Sequence, residues 1–178
     1  MAVLKVPVTS SDHILGASTA PVTLVEYGDY QCPHCAAAQL PVKQILMHYG
    51  STVCLVFRHF PLTEVHPMAR MAAETAEFAG SHGRFWDVHE AIFVNQPRLS
   101  PELLLTLVSA LELSPLEFQD ALASGLHAQK VQADFLGGVR SGVNGTPAFF
   151  VNGVRHDADH SFTDLAASID DAMLALTR

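Results

Sequence analysis

Two apolar runs of β character flank one helix-forming stretch near the N-terminus, and this order constrains the fold more than any other feature. Residues 22–27 (Val-Thr-Leu-Val-Glu-Tyr) read as a buried strand that Pro21 introduces. Residues 36–49, rich in Ala, Leu and Gln, read as a helix that Gly50 ends. Residues 53–60 read as a second strand, closed by Pro61. A β-α-β order over about 40 residues implies a right-handed parallel crossover. The unbroken apolar character of 22–27 suits a central parallel strand covered on both faces. Pro41, inside the helical stretch, predicts a kink or a split near Leu40.

Cys32-Pro33-His34-Cys35 sits at the junction between the first strand and the helix. Unpaired backbone N–H groups and the positive end of the helix dipole face that position, and both favour a thiolate. Pro33 fits the first helical position, where its missing N–H costs nothing. A Cys-x-x-Cys that follows a strand and opens a helix reads as a redox pair. Cys32, the more exposed of the two, is the expected nucleophile. Cys35, one turn deeper, is the expected resolving thiol that cleaves a mixed disulfide. His34 lies between them and can stabilise the Cys32 thiolate through its ring N–H or partial positive charge. A thiol pKa of ~4 would favour the reduced pair by roughly 4 kcal/mol at pH 7, about 90 mV of oxidising power. The rival is half a zinc site. It needs two more ligands, for which His156 and His160 are the best candidates, but only folding could bring them near Cys35. Neither a metal nor a cofactor is expected. Cys54, within the second apolar run, reads as a small buried hydrophobe.

Glu26 interrupts the first strand six residues before Cys32. A buried carboxylate there must be paired or protonated, and the other reading is a strand-end glutamate turned to solvent.

The 178 residues can bury a sizeable core, and with 49% apolar and 16% charged residues disorder is not expected. A net charge of −8 argues against nucleic acid. No apolar run approaches the ~18 residues of a membrane span. The first residues do not read as a secretory signal, so the expected compartment is the cytosol, or the periplasm or exterior for a processed form. Three cysteines with one close pair point to chemistry, not to a disulfide scaffold.

Residues 4–8 read as a lead-in strand. From residue 64 to 138 the texture turns helical, with segments near 68–76, 85–93, 101 onward, 115 onward and 127–139. Ser100-Pro101 and Ser114-Pro115-Leu116-Glu117 open two of them with an N-cap and a proline at N1, the second as a capping box. Strand texture returns at 148–151, Asn152-Gly153 makes a hairpin turn, and a last amphipathic helix covers 162–176. The expected division is an α/β domain from 1–63 and 139–178 with an all-helical inserted subdomain at 64–138. That subdomain is expected to shape substrate access without supplying chemistry; the alternative is that its helices complete one undivided core.

Together, Cys32-Pro33-His34-Cys35, Gly145-Thr146-Pro147-Ala148, Phe57-Arg58-His59-Phe60-Pro61-Leu62 and Phe149-Phe150-Val151-Asn152-Gly153 carry a resemblance. Over about residues 12–175 the chain resembles the DsbA-like branch of the thioredoxin superfamily. The resemblance implies a thioredoxin-like fold with a helical insertion and a thiol–disulfide oxidoreductase acting on protein thiols and disulfides. It also implies a further redox partner that recycles the cysteine pair. Thr146–Pro147 would form a cis peptide beside the cysteines and, with Pro33, meet the substrate. Glu26 would relay protons to the buried cysteine. Net reduction or isomerisation, or a non-catalytic redox-sensing module, are the alternatives. A cytosolic thiol pool would favour reduction.

Overall fold

The computed structural model describes residues 2–177. Strand β1 (His13–Leu15) leads into β2 (Val22–Gly28), helix α1 (Pro33–Tyr49) and β3 (Val53–His59). Five helices follow: α2 (Ala69–Ser81), α3 (Phe85–Val94), α4 (Pro101–Ala110), α5 (Pro115–Ser124) and α6 (Ala128–Arg140). Strands β4 (Ala148–Val151) and β5 (Val154–His156) and helix α7 (Phe162–Leu176) complete the chain. The five strands form one sheet in the order β1-β3-β2-β4-β5.

The sheet is mixed. β2 runs parallel to β3 but antiparallel to β4, and β3 is antiparallel to β1. The continuous burial that signals a central strand is present, yet it does not reveal the direction of the neighbours. The expected lead-in strand at 4–8 is also displaced. Val3 makes an isolated bridge to Val154, and the strand beside β3 comes later, at His13–Leu15. Arg58 accounts for the residues between. Its buried guanidinium takes the carbonyls of Val6 and Pro7 and the carboxylate of Asp12, so this segment wraps a charge and does not pair as a strand.

Helix α1 is continuous through Pro41. Proline deprives the carbonyl four residues earlier of its donor. Here that residue is Ala37, which is exposed, so the freed carbonyl is open to solvent and the helix is not split. The opening serines of α4 and α5 accept from Leu103 N–H and Glu117 N–H, as the sequence pattern anticipates.

Period-two alternation divides the sheet between two layers. Val22 and Leu24 pack with Val42 and Ile45 of α1 and Leu165 and Ile169 of α7, whereas Val25 and Tyr27 face Phe60, Phe150 and Phe135 of α6. Each fully buried Leu or Ile contributes roughly 1.5–3 kcal/mol. Close approach on the second face depends on Gly138, where a Cβ would meet the Phe60 ring at 2.7 Å. The helices between β3 and β4 build a third cluster that includes Phe78, Phe85, Val88, Ile92 and Leu104. Tyr30, Cys32, Cys35 and Phe57 belong to the same cluster, so it reaches the strand-to-helix junction.

Candidate active site

Cys32 is the N-cap of α1, in extended conformation (φ −74°, ψ 121°), with Pro33 at the first helical position. The residue is only 4% exposed and its thiol donates to the Thr146 carbonyl at 3.4 Å. A hydrogen bond from the Cys35 thiol chiefly lowers the Cys32 pKa, from 9.0 to about 5. Burial opposes that shift, and the Thr146 side chain and the N–H groups of Cys35 and His34 assist it. Cys35 is fully buried, and its pKa moves the other way. Burial pushes it far up, the Cys32 partner and Glu26 add to the rise, and a 3.4 Å bond from the Asp29 N–H opposes it weakly. The two thiols are free, and their environments drive them apart: one an easily formed thiolate, the other a persistent thiol.

Glu26 shares a face of β2 with Leu24, the face that α1 covers. It is fully buried, and neither carboxyl oxygen has a hydrogen-bond partner among the described residues. Burial raises its pKa to about 8, so the group is neutral at pH 7. The solvent-facing alternative does not hold.

The Thr146–Pro147 peptide is cis, and Thr146 meets Cys32 across 114 residues of sequence. The Thr146 hydroxyl is buried without a hydrogen-bond partner among the described residues. It is free to donate once the Cys32 sulfur loses its proton. A cavity of about 380 Å³ opens beside this loop, lined by Asn144, Thr146, Pro147, Arg155 and His160 among others. Pro33 and His34 are both exposed. His34 acts on Cys32 through its backbone N–H, which helps to lower the thiol pKa without forming a cap hydrogen bond of full geometry.

Asp29, which the sequence does not mark as a site residue, also orders this region. Its buried carboxylate accepts from Gln31 N–H, Leu62 N–H and the His66 ring, each at 2.8 Å. These bonds tie the loop ahead of Cys32 to the segment after β3. The lone acidic residue between an apolar strand and the Cys-x-x-Cys is the available signal, but two of its three partners, Leu62 and His66, lie more than thirty residues away.

Cys54 pairs in register with Thr23, five residues or ~16 Å along the strands from Gly28. It is buried there and donates to the Thr23 hydroxyl. His156 has both ring nitrogens engaged, with Ser168 Oγ and the Asp159 carbonyl, so it has no nitrogen free to ligate zinc. The grouping with metal-ligand spacing among the described residues, His59, Glu77 and Asp134, contains no cysteine. Lys130 places its ammonium 2.7 Å from both Asp134 oxygens, and the His13 and His59 rings donate to Glu77, so side-chain donors already engage its carboxylates.

A dithiol at the first turn of the helix after a central strand, with a cis-proline loop against it, defines a protein of the thioredoxin class. A thioredoxin family model matches residues 8–171, and the chain belongs to that family. Among solved structures, BdbD from Bacillus subtilis superposes with a TM-score of 0.86 at 24% identity, over 97% of this chain and 98% of that one. The alpha-DsbA1 of Wolbachia pipientis gives 0.81 at 21% identity, over 97% and 98%. The fold is therefore that of the DsbA-like branch, helical insertion included. Among curated proteins, the Na(+)/H(+) antiporter NhaA 1 of Salinispora arenicola is 42% identical over 170 residues, which are 95% of this chain and 26% of that protein. The NhaA of Nitrosospira multiformis is 37% identical over 159 residues, 89% and 25%. The chain thus spans about a quarter of the length of these relatives. None of its described helices is long and apolar enough to cross a membrane.

Proposed function

We propose that the protein is a DsbA-like thiol–disulfide oxidoreductase that passes the Cys32–Cys35 disulfide to substrate protein thiols. The observation that carries this reading is the opposed ionisation of the two thiols, Cys32 low at the helix start and Cys35 high beneath it.

In the oxidising direction a substrate thiolate attacks Cys32 Sγ of the enzyme disulfide. The Cys32–Cys35 bond breaks, the Cys32–substrate bond forms, and the electron pair leaves on Cys35. Cys35 cannot remain a thiolate in its apolar surroundings, so it takes a proton. Glu26, neutral at pH 7 and buried behind it, is the donor this reading assigns. A second substrate thiolate then attacks its neighbour's sulfur and expels Cys32 as a thiolate, the better leaving group. The substrate gains a disulfide and the enzyme holds two electrons more. A separate redox partner removes them.

The backbone at Thr146 and Pro147 would pair with an extended substrate segment as an added strand, and the adjoining cavity would take a flanking side chain. Residues 64–138, in the same reading, form a subdomain that shapes access for protein substrates. Oxidation of this kind suits an oxidising compartment, the periplasmic alternative. The antiporter activity named for the curated relatives belongs to proteins four times this length and is not assigned to this chain.

The test is catalysis of insulin disulfide reduction beside a reduction potential measured against glutathione. Activity lost in Cys32→Ala, with a potential well above that of reducing thioredoxins, is the expected result. A potential near −270 mV would favour net reduction, and activity retained in Cys32→Ala would refute the mechanism.

A further inference from the structure

Gln96 lies in the short turn Gln96–Arg98 after α3, 64 residues from Cys32 in sequence. Its side-chain amide donates to the Tyr30 carbonyl at 2.8 Å and the Cys32 carbonyl at 2.9 Å. The Cys32 carbonyl also accepts the Ala36 N–H, the first bond of α1, so both of its lone pairs are engaged.

A second arm reaches the same turn of helix. Burial holds His89 of α3 neutral, with a pKa of about 3. The Gln39 amide oxygen can only accept, so His89 donates to it through Nε2–H and accepts a hydrogen bond from the Tyr30 hydroxyl on Nδ1. Gln39 in turn donates to the Cys35 carbonyl.

We infer that Gln96 is a positioning residue for the redox pair, its amide fixing the Cys32 carbonyl so that the first-turn N–H groups of α1 stay aimed at the Cys32 sulfur. The physical link is Pro33. Its ring locks φ near −65°, and the Ala36 N–H bond to the Cys32 carbonyl closes the turn that holds the torsions after it, so the Cys32 carbonyl and the N–H groups of His34 and Cys35 move largely together about the Cys32 ψ. Holding the carbonyl holds the donors. The helical insertion then acts on the chemistry through the backbone and touches neither sulfur. This inference rests on Cys32 as the attacking thiol.

Gln96→Met keeps length and bulk and removes the donor. Thiolate absorbance, followed against pH, should place the wild-type Cys32 ionisation near 5 and the variant about one unit higher. The glutathione equilibrium should shift about tenfold toward a less oxidising pair, ~30 mV. A role confined to structure would lower the melting temperature and leave both readouts unchanged, which would overturn the inference alone. A wild-type Cys32 titrating near 9 would overturn the reading of the site and the inference with it. Should the variant not fold, the wild-type side-chain amide of Gln96 answers by NMR. Slow proton exchange and a shift between thiol and disulfide forms support the role, and a fast-exchanging, redox-insensitive amide refutes it.

Discussion

Cys32 and Thr146 meet at 3.4 Å, thiol to carbonyl, and this contact joins the start of α1 to the cis-proline loop 114 residues later. In the reduced, protonated state the thiol spends its one proton on the carbonyl. After ionisation the sulfur becomes an acceptor, and the unpartnered Thr146 hydroxyl is the side-chain donor at hand.

Thr146→Val should therefore raise the Cys32 pKa by roughly one unit, the scale of a hydrogen bond to a charged group. The check is the thiolate absorbance titration. An unchanged titration would mean that Cys35 and the helix N–H groups suffice.

Glu26 carries a sign that stability measurements can read. Its folded pKa, about 8, lies above its ordinary 4.5. Below pH 4.5 both folded and unfolded states are protonated and the group is neutral to stability. Above it the unfolded state ionises first, so folding loses stability until pH 8. At pH 7 the penalty is on the order of 3 kcal/mol. Glu26→Gln should thus be more stable than wild type at pH 7–8 and equal to it at pH 4, while slowing the turnover that needs the proton. Denaturant midpoints at the two pH values decide it, and a variant destabilised at both would show that the carboxyl has a partner in solution.

The strand-to-helix junction was legible because its signals are local: a proline at N1 and a Cys-x-x-Cys after an apolar run each act within a few residues. The cis peptide at Thr146–Pro147 came from the family resemblance, because few X–Pro bonds in folded proteins are cis. Glu26 was legible as a cost without a known solution, and its placement on the α1 face follows from strand alternation. Asp29, His66, His89 and Gln96 were not legible. Each acts through a partner 33 to 66 residues away, and an isolated polar residue on a helix or loop looks like a solvated one. Pro41 does not split the helix, because that effect depends on whether the freed carbonyl is exposed. The direction of β4 was hidden because burial looks the same beside a parallel or an antiparallel neighbour.

Helix α3, within residues 64–138, lines a groove of about 440 Å³ with α1 and the sheet residues Leu15 and Leu55, where Trp86, Phe93 and Val94 face Ala36 and Leu40. Ala36, the residue after Cys35, lines its near end, although neither cysteine does. Val94 is 72% exposed and bears no core load. Val94→Asp should weaken turnover of a protein substrate several-fold and leave oxidised glutathione turnover intact. Equal loss on both substrates, at unchanged stability, would make the insertion part of the catalytic machinery.

The most direct test of the account is the pH profile of alkylation of the reduced protein, with the labelled cysteine mapped. The opposed thiols predict labelling of Cys32 with a midpoint near 5, and of neither Cys35 nor Cys54 in the native fold. A midpoint near 9, or first labelling at Cys35, would contradict it.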